Sequence, residues 1–140
     1  MESIEKIQNK IIEEFLPIDD WLDKYDHIVK LARQRAPMPE ELKNDASQLP
    51  GCQSQVWITA DNVENRVIFK AESDSAITNG IIALLLRVCN NQSPEDIANA
   101  DLFFLKEIGI SASLSPSRSN GVASIMRRFK QLAHLFVTPS

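Results

Sequence analysis

The sequence predicts an α+β fold, in which a small antiparallel sheet of two to three strands packs against several helices. Three observations support this. Apolar residues recur at helical spacing toward both ends of the chain, two strand-like runs follow each other near the middle, and the order is helices, hairpin, helices. This order favours an antiparallel sheet, because a doubly wound parallel sheet needs a helix between successive strands.

Two helices are predicted before the sheet. Ser3 can cap the first and Asp19 or Asp20 the second, because their side-chain oxygens can accept free backbone N–H groups of a first turn. The prolines of Pro37-Met38-Pro39 end the second helix, and residues 40–50 are polar and irregular. The apolar stripes are Ile4, Ile7, Ile11 and Phe15, then Trp21, Tyr25, Ile28 and Leu31/Ala32.

The predicted sheet is centred on a hairpin. Two strand-like runs, Gln55–Ala60 and Arg66–Ala71, are joined by the loop Asp61–Asn65. The stretch before Cys52 supplies a candidate third strand. Within the first run, Trp57 is expected to lie in the core.

The remaining helices have clear start or stop signals. Ser73-Asp74-Ser75 is a cap for a helix that runs through Val88 and is apolar nearly all round, so we expect it to be the central buried helix. Ser93-Pro94 begins another helix. A short one around Leu102–Ile108 ends at Gly109. Ser115-Pro116-Ser117 opens the last, with an apolar stripe of Val122, Ile125, Phe129, Leu132 and Phe136.

Composition limits the function classes. The 140 residues fit a single domain over residues 1–140. A net charge of -4 and a pI of about 5.2 argue against nucleic-acid binding, which depends on neutralising phosphates. No signal peptide or membrane-spanning run is apparent, since Ile81–Leu86 is far shorter than the roughly 18 apolar residues a span needs. We expect a cytoplasmic protein with reduced thiols.

The two cysteines differ in their surroundings. Cys89 ends an apolar helical run, where a free cysteine behaves as a small hydrophobic residue. Cys52 follows a turn and lies among small polar residues, so it is either an approachable thiol or a core filler under the turn. The sequence offers no zinc-ligand spacing and no glycine-rich phosphate loop. The two histidines, His27 and His134, fall in helical patterns near opposite ends.

Four ordered segments resemble the motifs of the SufE family of sulfur-acceptor proteins in iron–sulfur cluster assembly. The family patterns are W-x-x-K-Y, G-C-Q-S-Q-V-W, S-D-x-x-I-x-x-G and S/T-P-S-R-x-x-G. The matching segments are Trp21–Tyr25, Gly51–Trp57, Ser73–Gly80 and Ser115–Gly121. The resemblance extends over nearly the whole chain, and it implies a fold similar to that of IscU-type scaffolds.

The resemblance implies a sulfur carrier and desulfurase activator, not an enzyme with turnover of its own. Its partners would be a SufS-type cysteine desulfurase and a cluster scaffold such as a SufB-containing complex. Pyridoxal phosphate belongs to the desulfurase, so no cofactor or metal is expected on this chain. With Cys52 as the one motif cysteine, the chain is not expected to hold a cluster by itself. The oligomeric state stays open, with a homodimer among the options.

The resemblance also assigns residue roles. Cys52 is the persulfide acceptor, and the supporting residues are Gly51, Gln53, Ser54, Asp74 and Arg118. Gly51 lets the loop move, while Gln53, Ser54 and Gln55 orient the loop or meet the partner. Arg118 is a candidate cation for the thiolate, with a surface or cap role as the alternative. Asp74 has a helix cap as its alternative.

Two other functions stay open. A small thiol enzyme would need a histidine base near Cys52. A non-catalytic binding module that regulates a desulfurase would need no thiol chemistry, and Cys52 would then be core filler.

Overall fold

The computed structural model describes residues 2–50, 54–110 and 116–138, with the backbone alone for residues 116–119. It confirms the α+β prediction. Two helices and a short 3-10 turn precede an antiparallel hairpin, and further helices follow it. The elements are α1 (Ile4–Phe15), α2 (Trp21–Arg33), the 3-10 turn Glu40–Leu42, β1 (Val56–Val63), β2 (Arg66–Ser73), α3 (Ala76–Cys89), α4 (Pro94–Ala98), α5 (Phe104–Glu107) and α6 (Pro116–His134).

The predicted helix starts are confirmed by their caps. In each of α1 to α4, the residue before the helix accepts an N–H of the first turn with its side-chain oxygen. These capping residues are Ser3, Asp20, Ser75 and Ser93, in the order of the helices. These bonds satisfy donors that have no partner inside the helix. α5 ends before Gly109, whose φ of +83° is readily adopted by glycine.

The core is built around α3, as its sequence predicted. Residues on most sides of this helix are buried, and α2 packs along it. At the crossing, a Cβ added to Gly80 would lie only 2.2 Å from the carbonyl oxygen of Ile28. Only a glycine therefore allows the two backbones to approach this closely.

The hairpin is longer than predicted. β1 and β2 pair from Val56↔Ser73 to Val63↔Arg66, so most of the predicted loop Asp61–Asn65 is strand. The turn is limited to Glu64 and Asn65, whose φ values of +52° and +62° are those of a type I′ turn. This turn matches the twist of the strands and lets them continue through exposed polar residues.

The two faces of the hairpin differ. Val56 and Ile58 are buried against the helices, and Phe69 stacks on Phe129 of α6 with ring centroids 4.5 Å apart. Trp57 lies between the buried residues of β1 and is only half-buried, so the prediction that it belongs to the core is wrong. Successive side chains of a strand point to opposite faces, which places Trp57 outside. No helix in the described part of the chain is long and apolar enough to cross a membrane.

Candidate functional site

The predicted site is centred on the loop of residues 50–55, which we call the Cys52 loop. Gly51, Cys52 and Gln53 lie outside the described residues, so the roles predicted for them, including Cys52 as the persulfide acceptor, stay predictions. The same holds for the Arg118 side chain, because only the backbone of this part of α6 is described. Ser54, which is half-buried, and the exposed Asp74 are described.

The chain enters the Cys52 loop from a short strand-like segment. Leu49 donates its N–H to the Val56 carbonyl at 2.8 Å, and Ile58 donates to the Ser47 carbonyl at 2.9 Å. Residues 47–49 therefore run antiparallel to β1, where the sequence suggested a third strand. The buried Ser47 is held in turn by its hydroxyl, which donates to the Leu42 carbonyl.

The chain leaves the Cys52 loop through a two-way contact with Asp74. Gln55 donates its N–H to Asp74 Oδ1 at 3.0 Å, and Asp74 donates its own N–H to the Gln55 carbonyl at 3.2 Å. This pair extends the hairpin ladder one step beyond Val56↔Ser73. The cap of α3 is Ser75, so the helix-cap alternative for Asp74 is wrong.

The Cys52 loop is thus anchored to the sheet at both ends. Its entry is tied to β1 at Val56, and its exit is tied at Gln55 to the turn between β2 and α3. A loop held by a rigid scaffold presents its residues from a fixed base. The described residues on either side of positions 51–53 are therefore both fixed to the sheet.

The turn at Asp74 has its own support from Asn79 of α3 and from Arg35, which follows the end of α2. Asn79 Oδ1 accepts the Ser73 N–H at 2.8 Å and an N–H of the Arg35 guanidinium at 3.1 Å. Arg35 also donates to the Ala71 carbonyl. These bonds fix the last residues of β2 immediately before Asp74.

A charged cluster covers the outer face of the hairpin beside the Cys52 loop. Lys43 Nζ contacts the Glu72 carboxylate and lies 5.5 Å from the centre of the Trp57 ring. Partial burial alone would raise the pKa of Glu72, but hydrogen bonds from Lys43 and from the Met38 N–H outweigh it and lower that pKa. Glu72 and Glu40 in turn raise the pKa of Lys43. Through Lys43 and the Met38 N–H, which both contact the Glu72 carboxylate, the segment of residues 38–43 is bound to the sheet.

The second cysteine is placed for packing. Cys89 is fully buried in the core, and burial raises the pKa of its thiol to about 12. At neutral pH almost none of it is thiolate, the form that acts as a nucleophile. The prediction that Cys89 fills the core is confirmed.

The two histidines belong to different helices, His27 to α2 and His134 to α6. His27 Nε2 lies 3.1 Å from Glu14 Oε2 at the junction of α1 and α2, and its ring meets Phe15 edge-on. His134 is exposed at the end of α6. Among the described residues, no group of three or more His, Cys, Asp or Glu side chains could hold a metal ion.

The sequence did not reveal the polar side chains that hydrogen-bond to other elements of the fold. Lys24, within the Trp21–Tyr25 segment, donates to the Ile108 carbonyl at 3.2 Å and so caps the end of α5. Asn79 and Arg35 support the turn at Asp74. One signal was available: Asn79 is a half-buried carboxamide in an otherwise apolar helix, and such a group needs a partner.

Comparisons with known proteins identify the family. An uncharacterized SufE-like protein of Rhizobium etli is 32% identical over 130 residues, covering 89% of this chain and 88% of that protein. An uncharacterized SufE-like protein of Synechocystis is 34% identical over 127 residues, covering 91% and 80%.

A solved structure shows the same fold. The solution structure of a hypothetical protein from Thermus thermophilus matches with a TM-score of 0.75, covering 92% of this chain and 94% of that one at 17% identity. The sequence profile of the SufE family, described as an Fe-S metabolism associated domain, matches residues 9–133. The chain therefore belongs to the SufE family, and its domain is associated with iron–sulfur metabolism.

Proposed function

We propose that this chain takes sulfane sulfur from a pyridoxal-phosphate cysteine desulfurase as a persulfide on Cys52, stimulates that desulfurase and passes the sulfur on for cluster assembly. The observation that carries the proposal is the contrast between the two cysteines. Cys89 is buried with its thiol pKa raised to about 12, whereas Cys52 belongs to a loop whose two ends are anchored to the sheet.

The transfer is a thiol exchange. The Cys52 thiolate attacks the outer sulfur of the desulfurase persulfide, and a new S–S bond forms as the old one breaks. The electron pair of the broken bond leaves with the desulfurase cysteine as its thiolate, and the persulfide proton stays with the transferred sulfur or passes to solvent. Sulfur changes carrier with no net oxidation, so no cofactor on this chain is required.

The anchored loop suits this chemistry. Both sulfur atoms must come within bonding distance, so the Cys52 loop must enter the active site of the desulfurase. Anchors at Val56 and Gln55 reduce the number of loop conformations that must be ordered on docking. In this scheme Arg118 is a candidate cation for the thiolate, and a SufB-containing scaffold is a candidate recipient of the sulfur.

The test is intact mass after incubation with a SufS-type desulfurase and cysteine. The chain should gain about 32 Da, one sulfur atom, and lose it on reduction. Cys52→Ser should abolish the gain and most of the desulfurase stimulation, because a hydroxyl is far less acidic than a thiol. Cys89→Ser is the matched control and should keep the gain. Added sulfur on Cys89, or its persistence in Cys52→Ser, contradicts the proposal.

The same experiment separates the alternatives. A binding module would keep full stimulation of the desulfurase in Cys52→Ser and would gain no mass. A thiol enzyme would need a histidine base at Cys52, yet the His27 ring is engaged by Glu14 and Phe15. Turnover of a small ester or amide that depends on Cys52 and on His134 would support that alternative.

A further inference from the structure

We propose that Asn79 is a positioning residue for the Cys52 loop and that it acts through the turn at Asp74. This inference rests on the proposed function of Cys52. It identifies a residue of α3 that bonds to Ser73 and Arg35 and so fixes the backbone to which the end of the loop is bound.

The first step is the hold of Asn79 on the end of β2. Its carboxamide oxygen accepts the Ser73 N–H at 2.8 Å, and Ser73 is buried. The Ser73 hydroxyl accepts the Ser75 N–H at 3.1 Å, so the residues on both sides of Asp74 are fixed. A buried N–H that loses its acceptor is costly, so the turn has a strong preference for this arrangement.

The second step is the orientation of Asn79 itself. Its carboxamide oxygen also accepts from Arg35 at 3.1 Å, and the same guanidinium nitrogen donates to the Ala71 carbonyl. Arg35 therefore binds Asn79 and β2 at once. With two donors on one oxygen, the carboxamide is held in the rotamer that reaches Ser73.

The third step transmits this position to the Cys52 loop. Asp74 meets Gln55 through both its carboxylate and its backbone N–H. Both contacts form only when the backbone from Ser73 to Ser75 has one particular conformation. Without the Asn79 oxygen, the turn is free to rotate, and the exit of the Cys52 loop moves with it.

Asn90 provides a matched control. Its Oδ1 accepts the N–H of Phe69, also in β2, at 2.6 Å. Both bonds join an asparagine at one end of α3 to a backbone amide of the same strand. They differ in place, since Ser73 adjoins the Cys52 loop and Phe69 lies further along β2. Asn79→Ala and Asn90→Ala should therefore lower stability to a similar extent.

The experiment compares Asn79→Ala, Asn79→Asp and Asn90→Ala in the full chain. Two rates are measured: hydrogen exchange of the Gln55 amide, and alkylation of Cys52 by iodoacetamide between about pH 6 and pH 9. Asn79→Ala should speed Gln55 exchange about fivefold, as expected for the loss of one ordinary hydrogen bond. Cys52 alkylation should rise by about twofold to fivefold at each pH.

Asn79→Asp should restore both rates, because it keeps an acceptor oxygen opposite Arg35, and Asn90→Ala should leave both near the parent values. Equal effects of Asn79→Ala and Asn90→Ala, or an unchanged Gln55 exchange rate, overturn the inference. If Asn79→Ala does not fold, Asn79→Leu serves as a second variant of similar size without the acceptor. Neither rate involves a desulfurase, so this inference and the sulfur-acceptor proposal can fail independently.

Discussion

Two neighbouring residues of α3 belong to regions that are built in opposite ways. Gly80 lies in the crossing of α2 and α3, where an apolar interface brings a backbone carbonyl almost against the helix. Asn79 faces the end of β2, where a few hydrogen bonds hold the turn at Asp74 and through it the Cys52 loop. We call these the packing region and the loop-support region.

The difference separates stability from position. In the packing region, each side chain has many close neighbours, and its loss removes dispersion contacts and buried apolar area together. In the loop-support region, each contribution is a directional bond of about 1 kcal/mol. Changes in the first region should alter whether the chain folds, and changes in the second should alter what Cys52 does in a folded chain.

The largest effect is expected for Gly80→Ala. The added Cβ would lie 2.2 Å from the Ile28 carbonyl oxygen, so α2 and α3 must separate. Because the added Cβ would meet backbone atoms, which cannot yield as a flexible side chain can, the cost should exceed the usual overpacking range of about 1–3 kcal/mol. The gain from replacing glycine in a helix, about 1 kcal/mol, offsets only part of it. Urea unfolding should show a clear net loss of stability.

Gly121→Ala is the control for that prediction. Gly121 also lies inside a helix, α6, but no described atom lies within 4 Å of a Cβ placed there. The same substitution should raise stability by up to about 1 kcal/mol. If both variants are equally stabilised, the close approach at Gly80 is not a constraint.

The core contribution of Cys89 is the next largest. Cys89→Ser puts a hydroxyl into a fully buried apolar site and should lower the free energy of unfolding by about 1–3 kcal/mol. Cys89→Ala, which adds no polar group, should cost less than the serine variant. A serine variant as stable as the alanine variant would mean that the hydroxyl finds a partner there.

The sequence predicted the packing region well and the loop-support region poorly, because the signals of the first are local and the contacts of the second are not. Helix caps such as Ser3 and Ser93 are local, since donor and acceptor lie within one turn, and the apolar run of α3 identifies a buried helix directly. The Gln55–Asp74 contact depends on the register of a whole hairpin. That register was set by a turn at Glu64–Asn65, which lacks the usual Asn-Gly signal.

The site residues show the same division. Cys52 was found through a motif, whereas Asn79 occupies a variable position of the S-D-x-x-I-x-x-G pattern and its role appears only when Ser73 is placed in space. The core position predicted for Trp57 is wrong, because the alternation of side chains along β1 places Trp57 on the outer face under Lys43.

Asp74→Ala tests the loop-support region with a small expected cost in stability. Asp74 is exposed, so the loss of its bond to Gln55 should lower the free energy of unfolding by no more than about 1 kcal/mol. Gln55 amide exchange should nevertheless accelerate, and the rate of sulfur transfer to Cys52 should change. Asp61→Ala, an exposed aspartate of β1 away from the loop, should leave both rates unchanged.

The smallest effect is expected at Glu14, a polar contact at the rim of the packing region. Partial burial alone would raise its pKa, but hydrogen bonds from His27 and Arg87 outweigh burial and lower the pKa below the ordinary 4.5. A carboxylate with a lowered folded-state pKa stabilises the fold above its unfolded pKa. That contribution is lost as the pH falls through the lowered value.

Glu14→Gln should therefore reduce stability at pH 7 by about 0.5 kcal/mol, since the group is partly exposed and screened by water. It should also flatten the loss of stability as acid is added below about pH 4.5. Urea midpoints of both proteins at several pH values measure the two effects. Glu13→Gln, an exposed neighbour, is the control. A loss of several kcal/mol at Glu14 would show that polar bonds also hold the packing region together, and the division between the two regions would not stand.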